Sequence, residues 1–276
     1  MTELAGIIGD PIGHSLSPVI HNAAYKQLGL DWHYSAYLVK KSNIAEAIRG
    51  ALALSLRGLS VTMPHKGSVY ALADRKSETV EQLGAANTIS FIDGQIVADS
   101  TDGQGLLDDI LDWGFIPLNK KIVVLGTGGA ARAAVLALGN SGVSEVVVLG
   151  RRIEMAREVA NLAPGRSNYG LIEDIKLLAK ADMFINATPV GMTDNNELSA
   201  SRLNCLENIL TERHWLFDMI YSPLETPMMK MAGALGAKVR NGLGMLIHQA
   251  AIQFYLWTGY EAPIQVMWEA VLNNIE

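Results

Sequence analysis

The sequence predicts an α/β protein in two blocks, and three observations carry that expectation. Short β-type runs alternate with longer helical patterns along the chain, the order that favours parallel sheets covered by helices. Two of the runs, Lys121–Gly126 and Ser144–Leu149, are apolar after their polar first residues, which suits strands buried on both faces at a sheet centre. The length of 276 residues accommodates two ordinary domains, and with 49% hydrophobic residues, 18% charged residues and 26 glycines the chain will collapse rather than stay disordered.

In the first block Leu4–Gly9 is a strand ended by the turn-prone Asp10-Pro11-Ile12-Gly13. Ser17-Pro18 predicts a helix N-cap followed by proline at the first helical position, with the helix running to about Leu28 and Gly29 as its stop. Trp32–Val39 reads as a strand, Asn43–Leu54 as a helix, and Gly58–Thr62 as a short strand closed by Met63-Pro64. A second block begins near Asp102: a helix over Gly105–Trp113, a break at Gly114–Pro117, the strand Lys121–Gly126, a helix over Gly128–Asn140 and the strand Ser144–Leu149. Met183–Ala187, Trp215–Met219 and Ala237–Val239 are further strands; Glu225–Leu235, Leu243–Thr258 and Pro263–Asn274 are helices. There is no repeat, low-complexity tract or long linker, so the blocks are expected to be closely joined with a cleft between them.

A net charge of −6 argues against a general binder of nucleic acid or anionic membrane, and a small anionic ligand would need a local basic patch. The single Cys205 excludes an internal disulfide and a cysteine-cluster metal site, and reads as an inert small apolar residue. His14, His21, His33, His65, His214 and His248 form no helix-spaced pair with an attendant carboxylate, so no metal is expected. Met228, Met229 and Met231 read as packing. No uncharged apolar run reaches the roughly 18 residues of a membrane span. The start lacks the basic stretch and apolar core of a signal peptide, and the expected location is cytoplasmic.

The clearest motif is Val123-Val124-Leu125-Gly126-Thr127-Gly128-Gly129-Ala130-Ala131-Arg132. It sets a strand, a glycine turn and a helix in the order of a dinucleotide site. Gly126 permits the tight turn, Gly128 lets backbone approach a pyrophosphate, and the helix N-terminus offers free N–H groups. Ala131 fills the last glycine position of the fingerprint, which that fingerprint allows. The next strand ends in Gly150-Arg151-Arg152, with no carboxylate to take the ribose hydroxyls of NAD. Two guanidiniums there favour the 2′-phosphate of NADP over NAD.

Other segments are weak singly: Gly13-His14-Ser15-Leu16-Ser17-Pro18, Ser60-Val61-Thr62-Met63-Pro64-His65-Lys66, Ala85-Ala86-Asn87-Thr88 and Ser100-Thr101-Asp102-Gly103, in which Asp102 alone would read as a helix cap. Their combination and order, together with N-A-T-P-V-G-M (Asn186–Met192), D-M-I-Y-S-P-L-E-T-P (Asp218–Pro227) and G-L-G-M-L-I-H-Q-A (Gly242–Ala250), resembles the shikimate dehydrogenase family, which includes shikimate and quinate/shikimate dehydrogenases.

The resemblance spans nearly the whole chain. It implies a substrate-binding catalytic domain over residues 1–102 plus 241–276, with a C-terminal return, and an inserted Rossmann-like NADP-binding domain over 103–240. The active site would lie in the cleft, and the reaction would be the reversible NADPH-dependent reduction of 3-dehydroshikimate to shikimate, in aromatic amino acid and chorismate biosynthesis. By position, Lys66 and Asp102 match the catalytic pair. Ser15, Ser17, Ser60, Thr62, Asn87, Tyr221 and Gln249 match substrate-contacting positions. Gly126, Thr127, Gly128, Gly129, Ala130, Arg151, Arg152, Thr188 and Gly242 match cofactor-binding positions.

That chemistry suits these residue types. Reduction of a ketone leaves negative charge on its oxygen, so a cation or acid must meet it, and Lys66 can do so while Asp102 orients it. The hydroxyls of Ser15 and Ser17 can hold a substrate carboxylate, and Asn87 can both donate to and accept from a ring hydroxyl. Three positions depart from the family pattern. Ser60 and Ser100 each stand where Asn is usual, and Gly150 where many NADP-using members have Asn or Ser. The shorter Ser60 leaves open a relative preferring quinate, aminoshikimate or another ring acid, and Gly150 leaves open NAD. A nucleotide-responsive binding protein without turnover is a further alternative, against which the intact Lys66 and Asp102 speak. The partners expected are a small anionic substrate and the dinucleotide, with no nucleic acid and no membrane, in a monomer or homodimer.

Overall fold

The computed structural model describes residues 1–178, 180–192 and 204–275, except the side chains of residues 175, 204 and 205. The reading of Cys205 therefore lies outside the described residues. The chain divides into two compact units, residues 1–105 with 247–276 and residues 106–246. In chain order the first stretch holds β1 (Glu3–Gly9), α1 (Ser17–Gln27), β2 (Trp32–Leu38), α2 (Ile44–Ala53), β3 (Gly58–Val61), α3 (Lys66–Leu72), β4 (Arg75–Lys76), α4 (Glu78–Leu83), β5 (Thr88–Ile92) and β6 (Gln95–Asp99). Then come α5 (Asp102–Asp112), β7 (Lys121–Leu125), α6 (Gly129–Asn140), β8 (Glu145–Gly150), α7 (Ile153–Ala160), β9 (Ser167–Leu171), α8 (Ile175–Leu178), β10 (Met183–Asn186), β11 (Trp215–Asp218), α9 (Pro227–Ala234) and β12 (Lys238–Asn241). The chain ends with α10 (Leu243–Thr258) and α11 (Ile264–Ile275).

In the first unit the strands run in the order β2-β1-β3-β5-β6-β4. The sheet is mixed where alternation predicted parallel strands, because β5 is antiparallel to both β3 and β6. The cause is a two-residue hairpin at Asp93-Gly94, both with positive φ, which pairs Ile92 with Gln95. Such Asp-Gly turns match strand twist and return the chain without a crossover helix. Side-chain alternation then splits the strands. Leu59, Val61, Ile89 and Ala98 join one core with Ile44, Ile48, Val69 and Val80. Between them along the strands, Ser60 and Thr88 point the other way and meet α10.

The first helix departs from expectation at its start. Leu16, not Ser17, occupies the N-cap position, and Ser17 is the first helical residue. The Ser15 hydroxyl accepts from the Ser17 N–H at 3.3 Å, so a hydroxyl caps the end from further upstream. Helix α5 likewise begins at Asp102 rather than Gly105: Gly103 and Gly105 weaken the helical pattern of its first turn, while the Gly105 N–H donates to the Thr101 carbonyl at 2.9 Å.

The second unit has the order β12-β11-β10-β7-β8-β9, all parallel. Counted within the unit this is 3-2-1-4-5-6, the doubly wound order, whose switch point lies between β7 and β10. Both faces are buried, as the uninterrupted apolar runs predict. Ile122, Val124, Val146 and Val148 pack on one side with Ala131, Ala134, Val135 and Val159. Val123, Leu125, Val147 and Leu149 pack on the other with Phe184, Met228, Met229 and Ala232, and Met231 packs against that core. Burying each such aliphatic side chain contributes about 1.5–3 kcal/mol.

Candidate active site

In the first unit, four short segments bring polar groups together. Lys66 opens α3 behind His65, which is buried and donates from Nε2 to the Val39 carbonyl at 2.6 Å. The Lys66 carbonyl accepts from the Ala86 N–H at 3.0 Å, tying the start of this helix to the segment that carries Asn87. Asp102 opens α5, and the Lys66 ammonium donates to its Oδ2 at 2.5 Å. The side chains are 27% and 13% exposed respectively, so the pair is shielded yet reachable.

Asn87, buried just before β5, secures the second carboxylate oxygen. Its Nδ2 donates to Asp102 Oδ1 at 2.7 Å and to Thr101 Oγ1 at 3.0 Å, with Gln249 Oε1 at 3.4 Å. Its Oδ1 accepts from the Thr101 N–H at 2.8 Å and the Thr88 hydroxyl at 2.7 Å. Gln249 reaches this group because α10 lies against α5: a β-carbon on Gly105 would sit 2.7 Å from the Gln249 backbone nitrogen, so only glycine fits. Lys66, Asp102, Asn87 and Gln249 thus share one cluster. Ser60 is 5% exposed and belongs to the same network through Gln253. Ser15 and Thr62 are half-buried, and Ser17 is buried.

In the second unit, Gly126 follows β7 with φ +117°, and an added β-carbon would lie 2.8 Å from the Ala187 carbonyl oxygen. Backbone from β7 and β10 therefore touches at the switch point. Gly128 caps α6 without a side-chain bond, and neither it nor Gly129 has an atom within 4 Å of an added β-carbon. Exposed N–H groups at this helix end, with open space before them, fit a phosphate. Arg151 and Arg152 are exposed at the start of α7.

The loop after β10 is held from below. Asn186 donates to Asp218 at 2.9 Å and accepts from the Thr188 hydroxyl at 2.6 Å, while the Thr226 hydroxyl donates to Asp218 at 2.7 Å. Burial raises the Asp218 carboxyl above its ordinary value, partly offset by bonds from Thr226, Ile220 N–H and Asn186. Tyr221 is half-buried, its phenol raised by the same cause, and Gly242 is buried with its N–H donating to the Ile220 carbonyl at 3.1 Å.

Sequence reasoning passed over Tyr34, Thr88, Thr101 and Gln253 as parts of this site. A signal existed for the last: Gln249 and Gln253 are spaced i, i+4 in an otherwise apolar helix, which places two amides on one buried stripe that must find partners.

A lysine–carboxylate pair in one unit and a glycine turn at the switch point of a doubly wound sheet in the other define a two-unit α/β oxidoreductase. The family profile "Shikimate dehydrogenase substrate binding domain" matches residues 7–89, "Shikimate / quinate 5-dehydrogenase" residues 115–223, and "Shikimate 5'-dehydrogenase C-terminal domain" residues 242–272. The shikimate dehydrogenase (NADP(+)) of Methanopyrus kandleri is 38% identical over 99% of this chain and 96% of its own. A crystal structure of a shikimate dehydrogenase in complex with NADP+ superposes with a TM-score of 0.91 at 35% identity, covering 100% of this chain and 96% of the other. Quinate dehydrogenase from Corynebacterium glutamicum, in complex with NAD, gives a TM-score of 0.89 at 29% identity, covering 99% of each chain. The chain belongs to the shikimate dehydrogenase family.

Proposed function

We propose that the chain catalyses the reversible NADPH-dependent reduction of 3-dehydroshikimate to shikimate. The observation that carries this reading is the Lys66–Asp102 pair at 2.5 Å, its carboxylate held on the other side by Asn87, in a chain matched end to end by NADP-dependent shikimate dehydrogenases. Bound NADPH supplies the hydride. The Lys66 ammonium stabilises charge developing on the ketone oxygen and donates a proton to it from Nζ, then regains one from water. Asp102 fixes the direction of Nζ and remains ionised. The hydroxyls of Ser15 and Ser17 take the substrate carboxylate, Thr62 and Tyr221 complete the contacts, and a ring hydroxyl replaces the 3.4 Å approach of Gln249 to Asn87.

For the cofactor, the open Gly128–Gly129 helix end takes the pyrophosphate with Thr127 and Ala130 beside it, and Arg151 with Arg152 takes the 2′-phosphate. Thr188 and Gly242 lie on the loops after β10 and β12. In this reading residues 1–102 plus 241–276 form the catalytic domain and 103–240 the cofactor domain, a division close to that of the two compact units. The protein would work in the cytoplasm as a monomer or homodimer. Among the described residues no helix is long and apolar enough to cross a membrane.

The test is a steady-state assay of shikimate and quinate with NADP and with NAD. Shikimate with NADP should give the highest kcat/KM. Absence of shikimate oxidation with either cofactor would overturn the assignment, and a higher kcat/KM on quinate would move the chain to the quinate branch.

A further inference from the structure

Five polar side chains form one directed chain of hydrogen bonds behind Asp102. The Tyr34 hydroxyl donates to Ser60 Oγ at 2.6 Å, and Ser60 donates to Gln253 Oε1 at 2.6 Å. Gln253 Nε2 donates to Thr88 Oγ1 at 2.9 Å, and Thr88 donates to Asn87 Oδ1 at 2.7 Å. Asn87 then donates to Asp102. Ser60 and Thr88 are register partners on adjacent antiparallel strands, and Gln253 spans the pair with both ends of its amide. The Ser60 and Thr88 hydroxyls each both accept and donate, so their proton positions are decided by their neighbours. All five members are buried.

We infer that Gln253 is a positioning residue for the reaction, and that Ser60 acts through Gln253 rather than by touching the ring acid. The inference rests on the function proposed above. A Ser60 hydroxyl whose proton is committed to Gln253 cannot donate to a substrate, one of its two lone pairs is taken by Tyr34, and at 5% exposure the other is shielded. What it does instead is set which end of the Gln253 amide faces Thr88. That in turn fixes the Thr88 proton toward Asn87 Oδ1 and leaves Asn87 Nδ2 directed at Asp102. The orientation of the carboxylate that holds Lys66 is therefore decided in part from a site three side chains away.

Three near-isosteric variants test this: Thr88→Val, Gln253→Glu and Ser60→Ala. In Gln253→Glu the second oxygen accepts from Thr88 instead of donating to it, which withdraws the Thr88 proton from Asn87. Each variant should lower kcat about 5- to 20-fold while KM for shikimate stays within about twofold and NADP affinity is unchanged. Ser60→Ala combined with Thr88→Val should lose less than the product of the single losses. A raised KM with unchanged kcat in Ser60→Ala would make Ser60 a substrate contact and overturn the inference. Should the wild type fail to oxidise shikimate, the proposed function falls, and crystal structures still decide the positioning claim. Thr88→Val should show the Asn87 amide turned away or the Lys66–Asp102 contact lengthened. An unmoved Asn87 and Asp102 would refute it.

Discussion

Asn87 Nδ2 lies 2.7 Å from Asp102 Oδ1, the carboxylate oxygen that Lys66 leaves free. The carboxylate is thus clamped from both sides, and Asp102 cannot swing without breaking its bond to the buried Asn87. Removal of the ammonium should therefore affect the chemical step far more than ground-state binding. Lys66→Ala is expected to lower kcat by about two to four orders of magnitude with a smaller change in KM. Asp102→Asn should lower kcat too, and the double variant should lose less than the product, since the two groups act as a unit. Near-normal turnover in Lys66→Ala would leave it an ordinary surface lysine.

The glycine turn gives a second expectation. Gly126 combines φ +117° with an approach that would put a methyl group 2.8 Å from the Ala187 carbonyl. Gly126→Ala meets both the strain of that backbone region and the clash. NADP binding should fall by at least an order of magnitude, whereas shikimate binding in the other unit should persist. Calorimetric titration of each ligand separately checks this, and equal losses for both would point to general unfolding.

The basic turn gives a third. Arg151→Ala should weaken NADP about 10- to 100-fold, matching roughly 1.5–3 kcal/mol for a charge-assisted bond to phosphate, and weaken NAD much less. Equal effects on the two would show that Arg151 does not read the phosphate. The neighbouring Gly150 has a local reason for lacking a side chain: an added β-carbon would lie 2.8 Å from the Thr127 methyl, so Thr127 already fills that space.

Acid stability supplies a fourth. His21 is buried and stacked on Tyr34 with centroids 4.3 Å apart, and burial pushes its pKa down to about 3. The folded protein therefore keeps it neutral while the unfolded chain protonates it near pH 6.5. Between those values the unfolded state binds the extra proton, so stability falls as pH drops through the window, by up to about 1.4 kcal/mol per unit. His21→Phe should flatten the decline in urea midpoint between pH 7 and pH 4.5. An unchanged slope would place the acid sensitivity elsewhere.

How much of this was legible in the sequence depended on whether the signal was local. The central strands of the second unit were readable because both their faces are buried, which leaves runs such as Ile122–Leu125 apolar without interruption, whereas the largely exposed edge strand β9 went unread. Helix α10 was readable to its ends. The hairpin of β5 and β6 went unread although Asp93-Gly94 marks it, because Ser90, Asp99 and Gln95 break the apolar pattern around the turn. The short helices α3 and α4 were missed too: with six or seven residues each they carry fewer than two turns of periodicity. Lys66, Asp102, Asn87 and Gln249 were individually visible, but 182 residues of chain lie between Lys66 and Gln249, and only pairing of strands and packing of α10 bring them together. The partners of Ser60, Tyr34 on β2 and Gln253 on α10, are set by the packing of distant elements, so the sequence did not pair them.

The saturation of the cluster behind Asp102 has a consequence for anyone wishing to redirect the enzyme to a new ring acid. Asn87, Thr88, Thr101 and Gln253 are each bonded to other members, so a library built there would return poorly folded or slow variants before it returned altered selectivity. Ser15 and Thr62 stand on connecting loops and are half-buried, with no bond to that cluster. On the function proposed above, diversity placed at those two positions should change what the substrate meets while the proton-transfer machinery keeps its shape.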